Sequence, residues 1–269
     1  MKPTTLLLLL LFAASNAFAQ APKKETLSFK IQRLKKLLNE SDSISPEMTD
    51  SLDINNKIKT QLTEILSTPQ IKNYDLEKTF TGSIEITHSK DKQLWFFTWY
   101  ENTGGSFKSN LTVIYYKTKA NKTGVENDFE SNGASYDQII KLPSKSKSLY
   151  LCLGDVVGCN TCSASVATVI ELTAKGINLD YPAFKTINKN QWGEEIIWKP
   201  TYIMDSRIDD IKTFEYDVKT ELIRYSYVPD DNTPISIDME TYNPDAKPIK
   251  GHFKWNGTRF VGSTAGGHE

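Results

Sequence analysis

The residues with the clearest chemical potential are three cysteines in one short segment, Cys152, Cys159 and Cys162. The C-x-x-C spacing of the last two is that of thiol–disulfide exchange motifs, in which one thiolate attacks and its neighbour resolves the mixed disulfide. Such a motif opens a helix, but the β-branched run 166–172 predicts a strand. We therefore predict a structural disulfide, with redox catalysis as the alternative and the pairing left open, because three cysteines leave one over.

Metal binding by these cysteines is a further alternative, but it would need a fourth ligand that the sequence does not supply. Of the three histidines, His268 lies in the predicted tail, and His88 and His252 have no Cys, Asp or Glu at a metal-ligand spacing. We predict no metal ion and no cofactor.

Tryptophans form a second group of candidates. Trp95, Phe97 and Trp99 fall on one face of a predicted strand, and Trp192 and Trp198 lie further along the chain. Exposed rings of this kind could stack on sugar rings or on apolar side chains of a partner. Packing in the core is the stronger expectation, because removing so much apolar surface from water stabilises the fold.

Motifs of serine enzymes are present only superficially. Ser89 to Lys92 and Ser144 to Lys147 match S-x-x-K, and Lys122 to Gly124 matches K-T-G. That chemistry requires the serine at a buried helix N-terminus, whereas both candidates lie in charged turns between predicted strands. We predict no catalytic role for them.

The N-terminal residues predict a signal peptide over residues 1–19. Lys2 precedes the apolar run Leu6–Leu11, and Ala17 and Ala19 give the small-x-small pattern of a cleavage site before Gln20. The apolar run is shorter than the roughly 20 residues that span a bilayer. We therefore expect an exported protein, periplasmic or secreted, that does not span a membrane and folds where disulfides form.

Two amphipathic helices are predicted within residues 20–75. Leu27, Ile31, Leu34 and Leu38 recur at helical spacing up to about Asn39. A second helix begins near Ser45 and Pro46, and its apolar stripe runs from Ile54 to Leu66. Neither helix can bury its stripe alone, so we expect both to pack on the rest of the chain, with docking on a partner as the alternative.

The apolar period changes to two after Thr79, which predicts an antiparallel β domain over residues 76–262. The segment 94–100 is apolar on both faces, as expected for a strand covered on both sides. Asn256-Gly257 predicts a tight hairpin, because both residues accept a positive φ. The fold class is thus mainly β: a meander of about a dozen short strands, sandwich or propeller-like, after two helices. Residues 263–269 are predicted to form a flexible tail.

Several segments together resemble a group of exported, periplasmic or cell-envelope β-rich proteins of Gram-negative bacteria. They are 94–116, with its Gly-Gly loop, 149–154, 169–184, and 253–260 with Phe253-Lys254-Trp255-Asn256-Gly257. The resemblance covers roughly residues 80 to 262 and implies an envelope β protein. It implies no activity and no site residues.

The charge of the chain bears on which partners it can bind. The chain carries 32 basic and 33 acidic residues, interspersed, which gives no reason to expect nucleic acid as a partner. We expect a non-enzymatic module that binds another envelope protein or an extracellular ligand. The alternatives are an exported enzyme, either a thiol–disulfide oxidoreductase or a hydrolase with dispersed site residues, and a structural subunit that docks through its N-terminal helices.

Overall fold

The structure is a computed structural model that describes residues 25–43, 50–82, 84–102, 109–157, 162–190, 193–207, 213–227 and 249–264. Strands make up 47% of the chain and helices 23%, and the sheets are open and almost entirely antiparallel. The prediction of a mainly β fold preceded by helices is confirmed.

The helical layer contains α1 (Leu27–Ser43), α2 (Asp50–Leu66), a 3₁₀ helix (Pro69–Asn73) and α3 (Leu76–Phe80). The two long helices were predicted, although α1 extends four residues past the predicted end at Asn39. Helical structure also continues past residue 75, because Asp75 caps α3 by accepting a hydrogen bond from the backbone amide of Lys78.

Sheet A is a four-stranded antiparallel meander next to the helices. Its strands follow chain order: β1 (Glu85–His88), β2 (Leu94–Tyr100), β3 (Asn110–Lys117) and β4 (Thr123–Glu126). Six of the seven residues of β2 are buried, as predicted from its two apolar faces.

Sheet B has the strand order β11-β7-β6-β5, with the short β8 paired to β7. Its strands are β5 (Ser135–Leu142), β6 (Ser148–Val157), β7 (Cys162–Leu172), β8 (Ile177–Asn178) and β11 (Thr201–Arg207).

Sheet C has the strand order β10-β9-β15-β14-β13-β12. Its strands are β9 (Phe184–Asn190), β10 (Gly193–Lys199), β12 (Thr213–Asp217), β13 (Leu222–Tyr227), β14 (Ile249–Trp255) and β15 (Phe260–Thr264). The pairing of β15 with β9, at Phe260 and Phe184, is parallel.

Three hydrophobic cores join these elements into a stack of four layers in the order helices, sheet A, sheet B, sheet C. The first core packs helical residues such as Leu34 and Leu62 against Phe97 of sheet A. The second lies between the opposite face of sheet A and sheet B, and the third lies between sheets B and C. The helices therefore cover their stripes on their own chain, as expected.

The C-terminal hairpin forms where Asn256-Gly257 predicted it, but with a four-residue turn. Trp255 pairs with Phe260, and the Asn256 amide bonds to the carbonyl of Arg259. Only Gly257 of the predicted pair has a positive φ, +92°. The predicted tail is also too long, because β15 continues to Thr264 and pairs with β14.

Several predictions fall outside the described residues. They concern the signal peptide 1–19, the helix start at Ser45 and Pro46, and the Gly-Gly loop within 103–106. Cys159 and Trp192 also lie outside them, as does the side chain of Cys162.

Candidate binding surface

The cysteine segment forms the β6–β7 hairpin, and this geometry excludes one disulfide. Cys152 lies opposite Thr168, six residues along β7 from Cys162, or about 20 Å at ~3.3 Å per residue. A disulfide requires Cα atoms within about 7 Å. Cys152 and Cys162 therefore cannot pair, and a disulfide between Cys159 and Cys162 at the hairpin turn stays a prediction.

Cys152 itself is a free, fully buried thiol in the core between sheets A and B. Burial raises the pKa of this thiol, which keeps it protonated and unreactive. Cys162 begins strand β7 rather than a helix, so the backbone there lacks the helix N-terminus that lowers the thiol pKa in exchange motifs.

The aromatic row of β2 does not form a stacking surface. Trp95 and Trp99 are each only 6% exposed, because α2 and its neighbours cover this face of sheet A. The indole nitrogen of Trp99 donates to Asn55 Oδ1 at 2.9 Å, and that of Trp95 donates to the carbonyl of Lys92 at 3.0 Å. Both tryptophans belong to the core, which was the stronger expectation from the sequence. The alternative, that they stack on a ligand, is wrong for these two residues.

Ser89 has a structural role in the β1–β2 turn. Its buried hydroxyl accepts from the amides of Gln93 and Leu94 and donates to Asp91. Asp91 also accepts from Lys141 Nζ at 2.7 Å and from the Tyr150 hydroxyl at 3.0 Å, which ties sheet A to sheet B. These bonds outweigh burial and lower the pKa of Asp91. The S-x-x-K match at Ser89 thus marks a turn.

His88 lies between α3 and the β1–β2 turn. Its Nε2 lies 2.7 Å from Glu77 of α3, its Nδ1 lies 3.0 Å from the Ser89 carbonyl, and its ring packs on Trp95. The ring therefore joins α3 to sheet A. Over the described residues, no group of three or more His, Cys, Asp or Glu side chains is arranged to hold a metal ion.

The outer face of sheet C carries exposed apolar residues among charged ones. Its inner face buries Phe184, Ile223, Phe253 and Phe260 against sheet B. Side chains alternate along strands, so the residues between these point away from the core. Ile196 and Val261 on this outer face are 56% and 49% exposed.

The charge of this face is predominantly positive. Register and alternation place four cations and two acids among its described strand side chains: Lys185, Arg224, Lys250, Lys254, Glu215 and Asp217. The adjoining turns bring Arg259 over Trp198 and Glu221 to within 3.9 Å of Lys254, which makes five cations and three acids. The whole chain has a net charge of −1, so positive charge is concentrated here.

One row across the strands alternates apolar and charged residues, of which two are lysines and the last is an aspartate. In the strand register, Trp198 lies opposite Lys185, and Leu222 lies opposite Asp217. Lys254 lies between Val261 on one side and Leu222 on the other. The Phe184–Phe260 pair sets Lys185 beside Val261. The row therefore reads Trp198, Lys185, Val261, Lys254, Leu222, Asp217, with one residue per strand about 4.8 Å apart. We call it the sheet C row.

Arg259 closes the Trp198 end of the sheet C row. Its guanidinium lies over the Trp198 ring, 4.2 Å from the ring centroid, in a cation–π contact. The turn that carries Arg259 is fixed, because the Tyr181 hydroxyl donates to the Thr258 carbonyl and Asn256 Oδ1 accepts from the Arg259 amide.

Asp217 ends the other side of the row. Hydrogen bonds from Thr220 and from the Lys219 amide, together with Arg224, lower the pKa of Asp217 to about 2. This carboxylate is therefore charged at any physiological pH, and it pairs with Arg224 at 3.0 Å.

Sequence reasoning identified Trp198 but missed the rest of the row. Lys185, Lys254 and Val261 each sit next to a buried aromatic residue, so alternation could have assigned them to an exposed face. Their assembly into one row depends on strand pairings that alternation does not give.

Among the described helices, none has the length and apolar character needed to cross a membrane. Comparison of the chain with models of protein families, with curated proteins and with solved structures finds no match. What the described residues present is a cationic and partly apolar face of a six-stranded sheet.

Proposed function

We propose that this protein is an exported, non-enzymatic binding module that uses the outer face of sheet C to hold a component of the cell envelope or of the extracellular medium. The observation that carries the proposal is that two large apolar residues, Ile196 and Val261, are exposed among the cations of this face. The N-terminal sequence supports export.

The alternatives have less support. The exchange motif opens a strand, and the helix stripes that would dock an assembly partner are buried in the first core. Sheet C has neither limitation, because its inner face forms the core and the described side chains of its outer face include exposed apolar residues and cations.

Export can be tested directly. Mass spectrometry of the protein purified from the envelope or medium should find an N-terminus at or near Gln20. An intact Met1 in that fraction would contradict the proposal.

Binding can be tested by sedimentation with isolated envelope material. The wild-type protein should co-sediment, and an Ile196→Ser/Val261→Ser variant should stay in the supernatant, because the exposed apolar contact is lost. A Phe29→Ser/Ile203→Ser variant is the matched control: it also removes two exposed apolar residues, 53% and 43% exposed, but from the helical layer and sheet B.

Both variants must melt as the wild type does for this comparison to count. Equal sedimentation of the wild type and the sheet C variant would show that this face does not bind. Loss of binding only in the control variant would place the binding surface elsewhere.

A further inference from the structure

We infer that the ligand of the sheet C face is an acidic polysaccharide, bound as an extended chain along the sheet C row. This inference rests on the proposed function and adds the chemical class of the ligand. It follows from the order of the residues in the row, from their exposure and from the contact between Arg259 and Trp198.

The order of the row matches the chemistry of an acidic sugar chain. Lys185 and Lys254 are separated by two strand spacings, or about 10 Å, with Val261 between them. Trp198 and Leu222 flank the two lysines. A polyuronate presents carboxylates at regular intervals, separated by ring faces rich in C–H groups. Cations can pair with its carboxylates while the apolar side chains contact its ring faces.

The two lysines have the exposure that a flexible, strongly charged ligand requires. The side chains of Lys185 and Lys254 are both exposed to solvent. Lys254 also donates a hydrogen bond to the Thr220 carbonyl and lies 3.9 Å from Glu221. Exposed ion pairs of this kind are individually weak, so binding needs several along one chain.

An anionic membrane fits this face less well. Insertion into a lipid surface requires apolar side chains that project past the cations. Trp198 instead has the Arg259 guanidinium over its ring, and Leu222 is half-buried. Neither apolar group therefore projects past the cations as a membrane anchor does.

The experiment is a calorimetric titration of the mature protein with polygalacturonate. Its fully methyl-esterified form has the same backbone without the charge, and polyglutamate has the charge without the sugar rings. We expect binding to polygalacturonate, and much weaker binding to both of the others. Raising NaCl from about 0.05 M to about 0.5 M should weaken binding, because salt screens exposed charges.

Lys185→Gln/Lys254→Gln should raise the dissociation constant for polygalacturonate about ten-fold, because the variant loses two exposed ion pairs with the ligand and their contributions to binding add. Lys72→Gln/Lys119→Gln removes two exposed lysines from the 3₁₀ helix and the β3–β4 turn, and should leave the constant unchanged. Tight binding of phosphatidylglycerol vesicles with no binding of polygalacturonate would overturn the inference in favour of a membrane.

Equal binding of polygalacturonate and polyglutamate would also overturn it, because charge alone would then explain the affinity. Failure here is distinct from failure of the proposed function. If envelope sedimentation still depends on Ile196 and Val261 while no polyuronate binds, the face binds a ligand of another class.

Discussion

Residue scale: Cys152 shows how a residue with chemical potential becomes inert. It lies in the middle of β6 with no exposed surface, and burial raises the pKa of its thiol. We expect a thiol-specific alkylating reagent to leave Cys152 unmodified in the native protein and to modify it in denaturant. Peptide mapping by mass spectrometry measures both states, and rapid native labelling at Cys152 would contradict the burial.

Asp91 gives stability that depends on pH. Hydrogen bonds from Lys141, Ser89 and Tyr150 lower its pKa below the value of about 3.9 in an unfolded chain. A lowered pKa adds stability above the unfolded value, and that stability is lost as the pH falls through the folded value. Asp91→Asn should therefore cost about 1–2 kcal/mol at neutral pH and less at about pH 3.

Urea unfolding at the two pH values measures this effect. Asp128→Asn is the matched control, because Asp128 also pairs with a lysine, Lys59, but is 87% exposed. Its effect should be small at both pH values, since exposed ion pairs contribute little. A cost for Asp91→Asn that is independent of pH would show that its charge is unimportant.

Element scale: the junction of β5 and β6 depends on the absence of a side chain at Gly154. A Cβ there would lie 2.3 Å from the Ser135 carbonyl oxygen and 2.8 Å from the Tyr136 Cα, next to the irregularity in the β5–β6 register. We expect Gly154→Ala to cost roughly 1–3 kcal/mol, because backbone atoms must shift. Gly124→Ala meets only the movable end of the Tyr116 side chain and should cost less in the same thermal melt.

The contact between α2 and β2 depends on one buried amide. Asn55 accepts from the Trp99 indole and donates to the Glu101 carbonyl. Asn55→Ala leaves the indole N–H without this acceptor in a buried site, at a cost of about 1–3 kcal/mol. Asn39→Ala, on the exposed face of α1, is the control, and equal melting temperatures for both variants would contradict this role.

The elements that could be predicted are those whose own residues determine their burial. Every residue from Leu94 to Trp99 is compatible with a core strand, and the stripe of Leu34 and Leu38 requires a covered helix face. The sheet C row could not be predicted, because it exists only where β15 lies between β9 and β14. That pairing joins Phe184 to Phe260, and nothing in the local pattern of either strand specifies the other.

Whole-molecule scale: neighbouring layers share a hydrophobic core, so the stack should unfold as one unit. Sheet A contributes one face to the first core and the other to the second, and sheet B likewise contributes to the second and third. Leu62→Ala in the helical layer and Phe260→Ala in sheet C should each cost about 2–5 kcal/mol. Each variant should lower the midpoint of one common unfolding transition, which far-UV circular dichroism and tryptophan fluorescence should report at the same temperature. Two separate transitions would show that the layers are independent.

The position of β15 also determines when the molecule can fold during synthesis. Strands β9 and β10 are made early, and β12 to β14 later, but these two parts of sheet C meet only through β15. A nascent chain that has not reached Phe260 holds two half-sheets with unsatisfied edges, and the third core stays open between them. The last core of the stack is therefore completed only after the final strand has emerged. The export that we propose would delay completion of this core until strand β15 has followed the rest of the chain across the membrane.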